Sequence, residues 1–579
     1  MTSNPLNQFA NIKELSEKTL VKSQAKEVYD AIILQTSFSS NAVGRPTIVS
    51  EKDTFIQKTC SLLDECSNRL KDGGLLFIYG LPNYLSFFGE YLNHKDNKEY
   101  YYLFKYWIAC EFNCKNTTGS LPNAHIGLLM YLKSRSKKNP TPFNLNTKYV
   151  RAPYSECTAC GRNTKDWGGK KHLLNPLGSA LSDVWSFTDI PVTDADKIPD
   201  KITERILALL SEGKEVLKVN QESIEFPIKT IGTGNSEVYS SAGINKNEVI
   251  HQSCFDFLTK LYEKQPEGTF DLAFADPPYN LVKKYSTYED DLEEKKYIAW
   301  CNEWLYGMYR NLKPGGALFV LNIPKWSIYH FDFLANKMIF RNWIVWDALS
   351  TPAGKFLPAH YALLYFTKPG DEPTINLDRD QYIDSREYCL RSSCINKRKA
   401  AGQDKKELLS DVWKDIHRIK HKKDRDHHPC QLPVKLMERI IRVFSNERDL
   451  IFDPFGGAGT TALASKILNR NYIITEIDPH YVNIAKRNLA AVKKDIFGNY
   501  YFERKPTTRN SQTTIPRKKI EDEYMNLCFQ KQRVLTIEEL ETICPSTYNL
   551  VEQYQGNFNK LKGAARRKMQ AQNMFLNNR

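Results

Sequence analysis

In Asp276-Pro-Pro-Tyr279 the residue types and their order point to a specific chemistry. The segment follows Thr269-Phe-Asp-Leu-Ala-Phe-Ala275, an apolar run that reads as a buried strand. Two prolines end that strand and stiffen the backbone. A carboxylate, a rigid turn and an aromatic ring then stand at a strand's carboxyl end, where open α/β sheets bind ligands. This kit suits an exocyclic amino group on a nucleic-acid base. Such a nitrogen is a poor nucleophile because its lone pair is delocalised into the ring. The Asp276 carboxylate and the Pro277 carbonyl can each accept one N–H bond, which localises the lone pair and aims it at an electrophile. Tyr279 would stack on a base swung out of its helix. Asp276, Pro277, Pro278 and Tyr279 are therefore the catalytic candidates.

A second constellation lies further along the chain. Asp449-Leu-Ile-Phe452 reads as a strand, Asp453-Pro-Phe-Gly456-Gly457-Ala-Gly459-Thr460-Thr461 as a glycine turn, and Ala462 onward as a helix. Missing side chains let a ligand approach the backbone of such a turn. No Lys-Ser/Thr closes it, so it is not a phosphate-gripping loop. Asp453 suits the ammonium of an amino-acid moiety, such as that of S-adenosylmethionine (SAM). Tyr472-Ile-Ile-Thr475 ends at Glu476, an acid about 20 residues beyond the loop, where ribose hydroxyls are bound.

With His428-Pro-Cys-Gln-Leu-Pro433 just ahead of the glycine loop, this order of motifs resembles the beta-class amino methyltransferases of DNA, in which the catalytic motif precedes the SAM motif. The resemblance runs over about 245–495. It implies an α/β fold with a seven-stranded, mostly parallel sheet, and SAM as cofactor. It assigns Gln431 and the helix from Pro433 to covering the cofactor. It assigns Asp453, Phe455, Gly456, Gly457, Gly459, Thr460, Thr461 and Glu476 to lining its site. Gln252-Ser253, ahead of Cys254, depart from the Gly-Asp that many members carry there, which puts one cofactor contact in doubt. Within the family, Asp at the first catalytic position implies adenine N6 as the target. N4 of cytosine is the alternative chemistry, and a non-catalytic DNA-binding protein with SAM as effector is the alternative class.

The elements that must position these residues occur twice. Lys71-Asp-Gly-Gly-Leu-Leu-Phe77 resembles Lys313-Pro-Gly-Gly-Ala-Leu-Phe319, and Ala124-His-Ile-Gly-Leu-Leu129 resembles Ala359-His-Tyr-Ala-Leu-Leu364. Leu181-Ser-Asp-Val-Trp185 recurs as Leu409-Ser-Asp-Val-Trp413, and Pro199-Asp-Lys-Ile-Thr-Glu-Arg-Ile206 resembles Pro433-Val-Lys-Leu-Met-Glu-Arg-Ile440. Four matches in one order make residues from about 20 to 220 a degenerate copy of those from about 260 to 454. In that copy Gln35-Thr-Ser-Phe38 replaces the catalytic motif, and Val219-Asn-Gln-Glu-Ser aligns with Asp453-Pro-Phe-Gly-Gly. The copy is expected to be catalytically dead, to bind DNA or to imitate a second subunit. Pro199-Asp200 and Glu212-Gly-Lys214 loosely fit a nuclease pattern but align with an ordinary amphipathic helix.

Domains are expected at 1–235 (degenerate copy), 236–498 (catalytic, with a target-recognition insertion at about 366–428) and 499–579 (basic linker and helical extension). Cys157 and Cys160, with Cys389 and Cys394 at the matching place in the second copy, are candidates for a four-cysteine zinc site, against plain loop thiols. Arg418-Ile-Lys-His-Lys-Lys-Asp-Arg-Asp-His-His428 is a candidate for phosphate contacts, against a solvated charged loop, whereas the short cluster Arg162, Lys165, Lys170 and Lys171 reads first as a solvated loop and second as phosphate contacts. The net charge of +14 suits a polyanionic partner such as nucleic acid, and the resemblance implies double-stranded DNA. A cognate restriction endonuclease is a further expected partner, with a monomer or pseudo-dimer as the form. The 13 scattered cysteines argue against a disulfide framework, and no apolar run approaches a membrane span. A cytoplasmic setting is expected.

Overall fold

Phe270–Ala275, the strand that leads into the catalytic motif, lies inside an eight-stranded sheet. Across it the order is Val412–Trp413, Ile339–Asp347, His360–Thr367, Leu312–Asn322, Phe270–Ala275, Leu450–Asp453, Asn471–Glu476 and Glu248–His251. His360–Thr367 runs against the other seven. The strand beyond the expected seven is the two-residue edge Val412–Trp413. The structure is a computed structural model. It describes residues 10–22, 28–38, 53–95, 99–114, 120–164, 174–210, 212–222, 244–282, 290–348, 356–379, 382–385, 387–389, 391–402, 406–419, 431–495, 500–502, 517–552, 558, 561–563, 565, 566 and 569.

The first part of the chain forms a seven-stranded sheet in the order Ala10–Ser16, Lys214–Asn220, Tyr29–Gln35, Leu70–Gly80, His125–Ser134, Tyr101–Asn113 and Val184–Pro191. Read from the Val184–Pro191 edge, its order and directions repeat those of the eight-stranded sheet strand for strand. Even the irregularities recur. The register jumps from Tyr29↔Leu70 to Ala31↔Leu75 in one sheet and from Phe270↔Leu312 to Leu272↔Ala317 in the other. Gly73 and Gly315 absorb the two jumps with φ of +77° and +72°, a left-handed backbone that glycine adopts without steric cost.

The sheets differ at the far edge. Ala10–Ser16 fills the place beside Lys214–Asn220 that Asn471–Glu476 fills beside Leu450–Asp453. The strand register also corrects the sequence alignment by one residue. Val216 pairs with Ala31 as Ile451 pairs with Leu272, so Lys218, and not Val219, stands where the second sheet has Asp453. The match of Pro199–Ile206 to Pro433–Ile440 could not reveal this, because the loop between that helix and the next strand differs by one residue between the two halves.

Both sheets lie within one compact unit, Met1–Phe502, and pack on each other around an approximate two-fold relation. Trp107 and Trp343 occupy equivalent strand positions and stack with centroids 3.7 Å apart and planes 9° apart. The helices Pro82–His94 and Pro324–Ala335 meet there, with the rings of Phe87 and Phe331 at 5.3 Å. The repeated Ser-Asp-Val-Trp segments cross over. Asp411 accepts from the Ala124 N–H at 2.7 Å and lies 2.9 Å from His125 Nδ1, while Asp183 accepts from the Ala359 and His360 N–H groups at 2.9 and 3.1 Å. Each half thus satisfies buried backbone donors of the other, as an isologous dimer interface does.

Residues Glu503–Arg579 form a separate unit. Its helices include Arg517–Gln530, Ile537–Ile543 and Pro545–Glu552, and helical residues follow at 561–563. Ile520, Tyr524, Cys528, Leu535 and Leu540 are buried together, and Thr536 and Glu539 form a capping box. The first of these helices begins within 504–519, a polar, basic stretch that reads as linker in the sequence. Among the described residues no helix is long and apolar enough to cross a membrane.

Candidate active site

Phe270–Ala275 and Leu450–Asp453 are parallel neighbours, with Leu272 opposite Ile451 and Ala273 opposite Phe452. Asp276 and the glycine loop therefore leave adjacent strands at the same edge of the sheet. Asn471–Glu476 is next in line, so Glu476 arrives there too. The two motifs, separated widely in sequence, thus emerge side by side at the carboxyl ends of neighbouring strands, where open α/β sheets bind ligands.

The catalytic turn is held from behind. Tyr297, fully buried on the helix Glu294–Asn311, donates its hydroxyl to the Pro278 carbonyl at 2.6 Å. Trp326 Nε1 donates to the Tyr279 carbonyl at 2.8 Å. Asn322 Nδ2 lies 3.2 Å from the Tyr297 hydroxyl and 3.0 Å from His330 Nε2. Burial pushes His330 down to about 3, so its ring is neutral and accepts that bond. Asn280 is pinned as well, its N–H on Asp290 and its side chain exchanging bonds with the Leu292 backbone. With the 278 and 279 carbonyls taken, the Pro277 carbonyl has no donor among the described residues. Tyr279 is buried, and its hydroxyl rests on Asp276 Oδ1 at 2.5 Å, with its ring 5.8 Å from that of Tyr361.

The glycine loop is fixed by its own acids. Asp453 is buried, and its oxygens accept from the Phe455 N–H at 2.9 Å and the Thr461 hydroxyl at 2.5 Å. Glu476 accepts from the Gly457 and Asp478 N–H groups, both at 2.8 Å. Gly457 and Gly459 adopt φ of +49° and +82°, and a Cβ on Gly459 would lie 2.8 Å from that of Ala485. Gly459 then caps the helix Thr460–Ile467. Both carboxylates thus brace the turn in this state, a task that their sequence positions do not reveal. Burial, reinforced by Glu476, pushes Asp453 up to about 7, and burial also raises Glu476. Two crowded acids, with no lysine or arginine in Asp453–Thr461, suit a ligand that brings positive charge and hydroxyl groups.

Phe455 packs its ring at 5.3 Å from Trp304 and 5.7 Å from Trp300. Sequence reasoning missed these tryptophans, together with Tyr297 and Trp326, because aromatic residues on an amphipathic helix look like ordinary core. Gln431 is half-buried ahead of the helix Val434–Phe444. Cys157, Cys160, Cys389 and Cys394 are brought together, their sulfur atoms all within 4.8 Å of one another. Arg162 is exposed. Lys165, Lys170, Lys171 and residues 420–428 of the basic stretch lie outside the described residues.

The sequence model of the N6/N4 methylases, described as DNA methylase, matches residues 270–487, the stretch that carries both strand ends. Type II methyltransferase M.BamHI of Bacillus amyloliquefaciens is 33% identical over 348 residues, 55% of this chain and 80% of its own length. The chain belongs to the N6/N4 DNA methylase family. This DNA methyltransferase is also 36% identical over 235 residues to Type II methyltransferase M.HpaI of Haemophilus parainfluenzae, covering 40% of this chain and 71% of that one. Against M1.MboII of Moraxella bovis the identity is 30% over 253 residues, 41% of the methyltransferase here and 95% of the relative.

Proposed function

We propose that this methyltransferase transfers a methyl group from SAM to N6 of adenine at a specific sequence in double-stranded DNA, as the modification partner of a cognate restriction endonuclease. The observation that carries the reading is the adjacency of Asp276-Pro-Pro-Tyr279 and the Asp453–Thr461 loop on neighbouring parallel strands. SAM fits the second of these: its ammonium and sulfonium offset the crowding of Asp453 and Glu476, and Phe455 with Trp300 offers an aromatic wall. When bound, SAM supplies an electrophilic methyl carbon on sulfur.

The chain's own groups do the rest. The Asp276 carboxylate and the Pro277 carbonyl accept the two amino protons of the extruded base and turn its lone pair toward the cofactor side of the cleft. Tyr279 leaves Asp276 and stacks on the base, so the arriving amino group replaces the phenol on the carboxylate. The Tyr297 and Trp326 bonds keep the turn from following. Asp276 then takes up the charge that develops on the nitrogen and accepts its proton. Asp at the first position of the motif supports adenine over cytosine.

The test is mass analysis of nucleosides from duplex DNA incubated with the purified chain and SAM. N6-methyldeoxyadenosine is expected. N4-methyldeoxycytidine in its place would overturn the adenine assignment, and no methylated nucleoside at all would overturn the transfer.

A further inference from the structure

We infer that Cys157, Cys160, Cys389 and Cys394 hold a structural zinc ion that clamps the two halves of residues 1–502 together. Their sulfur atoms all lie within 4.8 Å of one another. Cys157 Sγ is 3.7 Å from Cys394 Sγ, and Cys160 Sγ is 3.7 Å from Cys389 Sγ. These distances are far too long for a disulfide, whose sulfurs sit about 2.05 Å apart. They match a tetrahedral site of four thiolates, in which Zn–S bonds of about 2.3 Å hold the sulfurs roughly 3.8 Å apart.

The surroundings are built for such an ion. Cys157 and Cys160 share a tight turn in which the Cys160 and Gly161 N–H groups donate to the Cys157 carbonyl at 3.2 and 2.8 Å. Gly161 closes the turn at φ +65°. Glu156 bridges to Asn163, so the pair projects from a small hairpin. Cys394 lies in the first turn of the helix Ser392–Ala400. The buried Arg398 places Nη1 3.3 Å from Cys394 Sγ and 3.3 Å from the Cys389 carbonyl, where its charge offsets the excess negative charge of four thiolates around a divalent ion. Two further bonds join the halves alongside: Thr158 N–H to the Glu387 carbonyl at 3.0 Å, and Arg391 Nη1 to the Asn163 carbonyl at 2.8 Å.

The topology explains the pairing. Cys157 and Cys160 lie between His125–Ser134 and Val184–Pro191, and Cys389 and Cys394 lie between His360–Thr367 and Val412–Trp413. These are the same interval in the two repeated sheets. Each half supplies one pair of ligands, so neither half can form the site alone, and the ion closes a covalent distance of 237 residues between Cys157 and Cys394. This inference is independent of which base is methylated.

The test is metal analysis of the full chain, purified from zinc-supplemented cells and passed through a desalting column. About one zinc per chain is expected, with X-ray absorption showing four sulfur neighbours at about 2.3 Å. Cys157→Ser and Cys389→Ser should each lose the ion, whereas Cys544→Ser should keep it. Should the first two fail to fold, an organomercurial titration of the unaltered chain replaces them: zinc release should track modification of four thiols. Zinc below about a tenth of an equivalent, iron in its place, or oxygen and nitrogen ligands would each overturn the inference.

Discussion

At the scale of single residues, the turn after Asp276 is held in place by buried groups outside the motif, whereas Asp453 braces its own turn. Asp276 and Asp453 stand out in the sequence as candidates because each sits in a contiguous motif at the end of an apolar strand, and the structure brings those two strand ends side by side. Tyr297 does not stand out, since its partner is a backbone carbonyl 19 residues away. Tyr297 is a positioning residue. Tyr297→Phe frees the Pro278 carbonyl and should lower kcat about tenfold, the cost of roughly 1–2 kcal/mol for one buried bond, while leaving the KM for SAM unchanged. A parallel rise in that KM would mean general disorder of the site. Asp453 yields a pH prediction. Its carboxyl is protonated below about 7 in the unliganded chain, and a cationic ligand favours the ionised form. Binding therefore releases a proton, and affinity is lost as pH falls through that value. SAM affinity measured by calorimetry should drop about tenfold from pH 8 to pH 6. A flat profile would remove Asp453 from contact with the cofactor's charge.

At the scale of elements, the repeat read from sequence corresponds to two sheets with one strand order and matched bulges. What sequence could not give was the use of the repeated segments. Ser-Asp-Val-Trp recurs in each half, and its aspartate serves backbone donors of the other half. A pattern within one chain does not say which copy it will touch. Asp411→Ala strips acceptors from the Ala124 N–H and from His125, both buried. It should cost about 1–3 kcal/mol and lower the melting temperature by several degrees in calorimetry. An unchanged melting temperature would show that the crossed contacts do not bind the halves. The strand Ala10–Ser16 was also beyond sequence reasoning, because Ala-Asn-Ile-Lys-Glu-Leu-Ser lacks a long apolar run and owes its place to pairing with Lys214–Asn220.

At the scale of the molecule, one sheet carries the two motifs at its strand ends, and the other fills the equivalent ends with its own side chains. In the first sheet Gln35 stands where the second has Asp276; its side-chain oxygen accepts from the Ile198 N–H at 2.9 Å. Gln221 fills the neighbouring tip, accepting from the Ser37 N–H at 2.9 Å and donating to the Thr59 hydroxyl at 2.8 Å. Polar side chains of the chain itself thus occupy the place of a ligand. The helical unit after residue 503 was legible only in part, because the helix Arg517–Gln530 is polar and shows no marked apolar stripe. The central claim is that one cleft, built from two strand ends, binds the cofactor with one and activates the base with the other. Single-turnover methyl transfer by Asp276→Ala, beside SAM binding by the same variant, tests it most directly. The account predicts a loss of transfer of at least about a thousandfold with SAM affinity within about threefold of the unaltered chain. Retained transfer, or loss of both together, would contradict it.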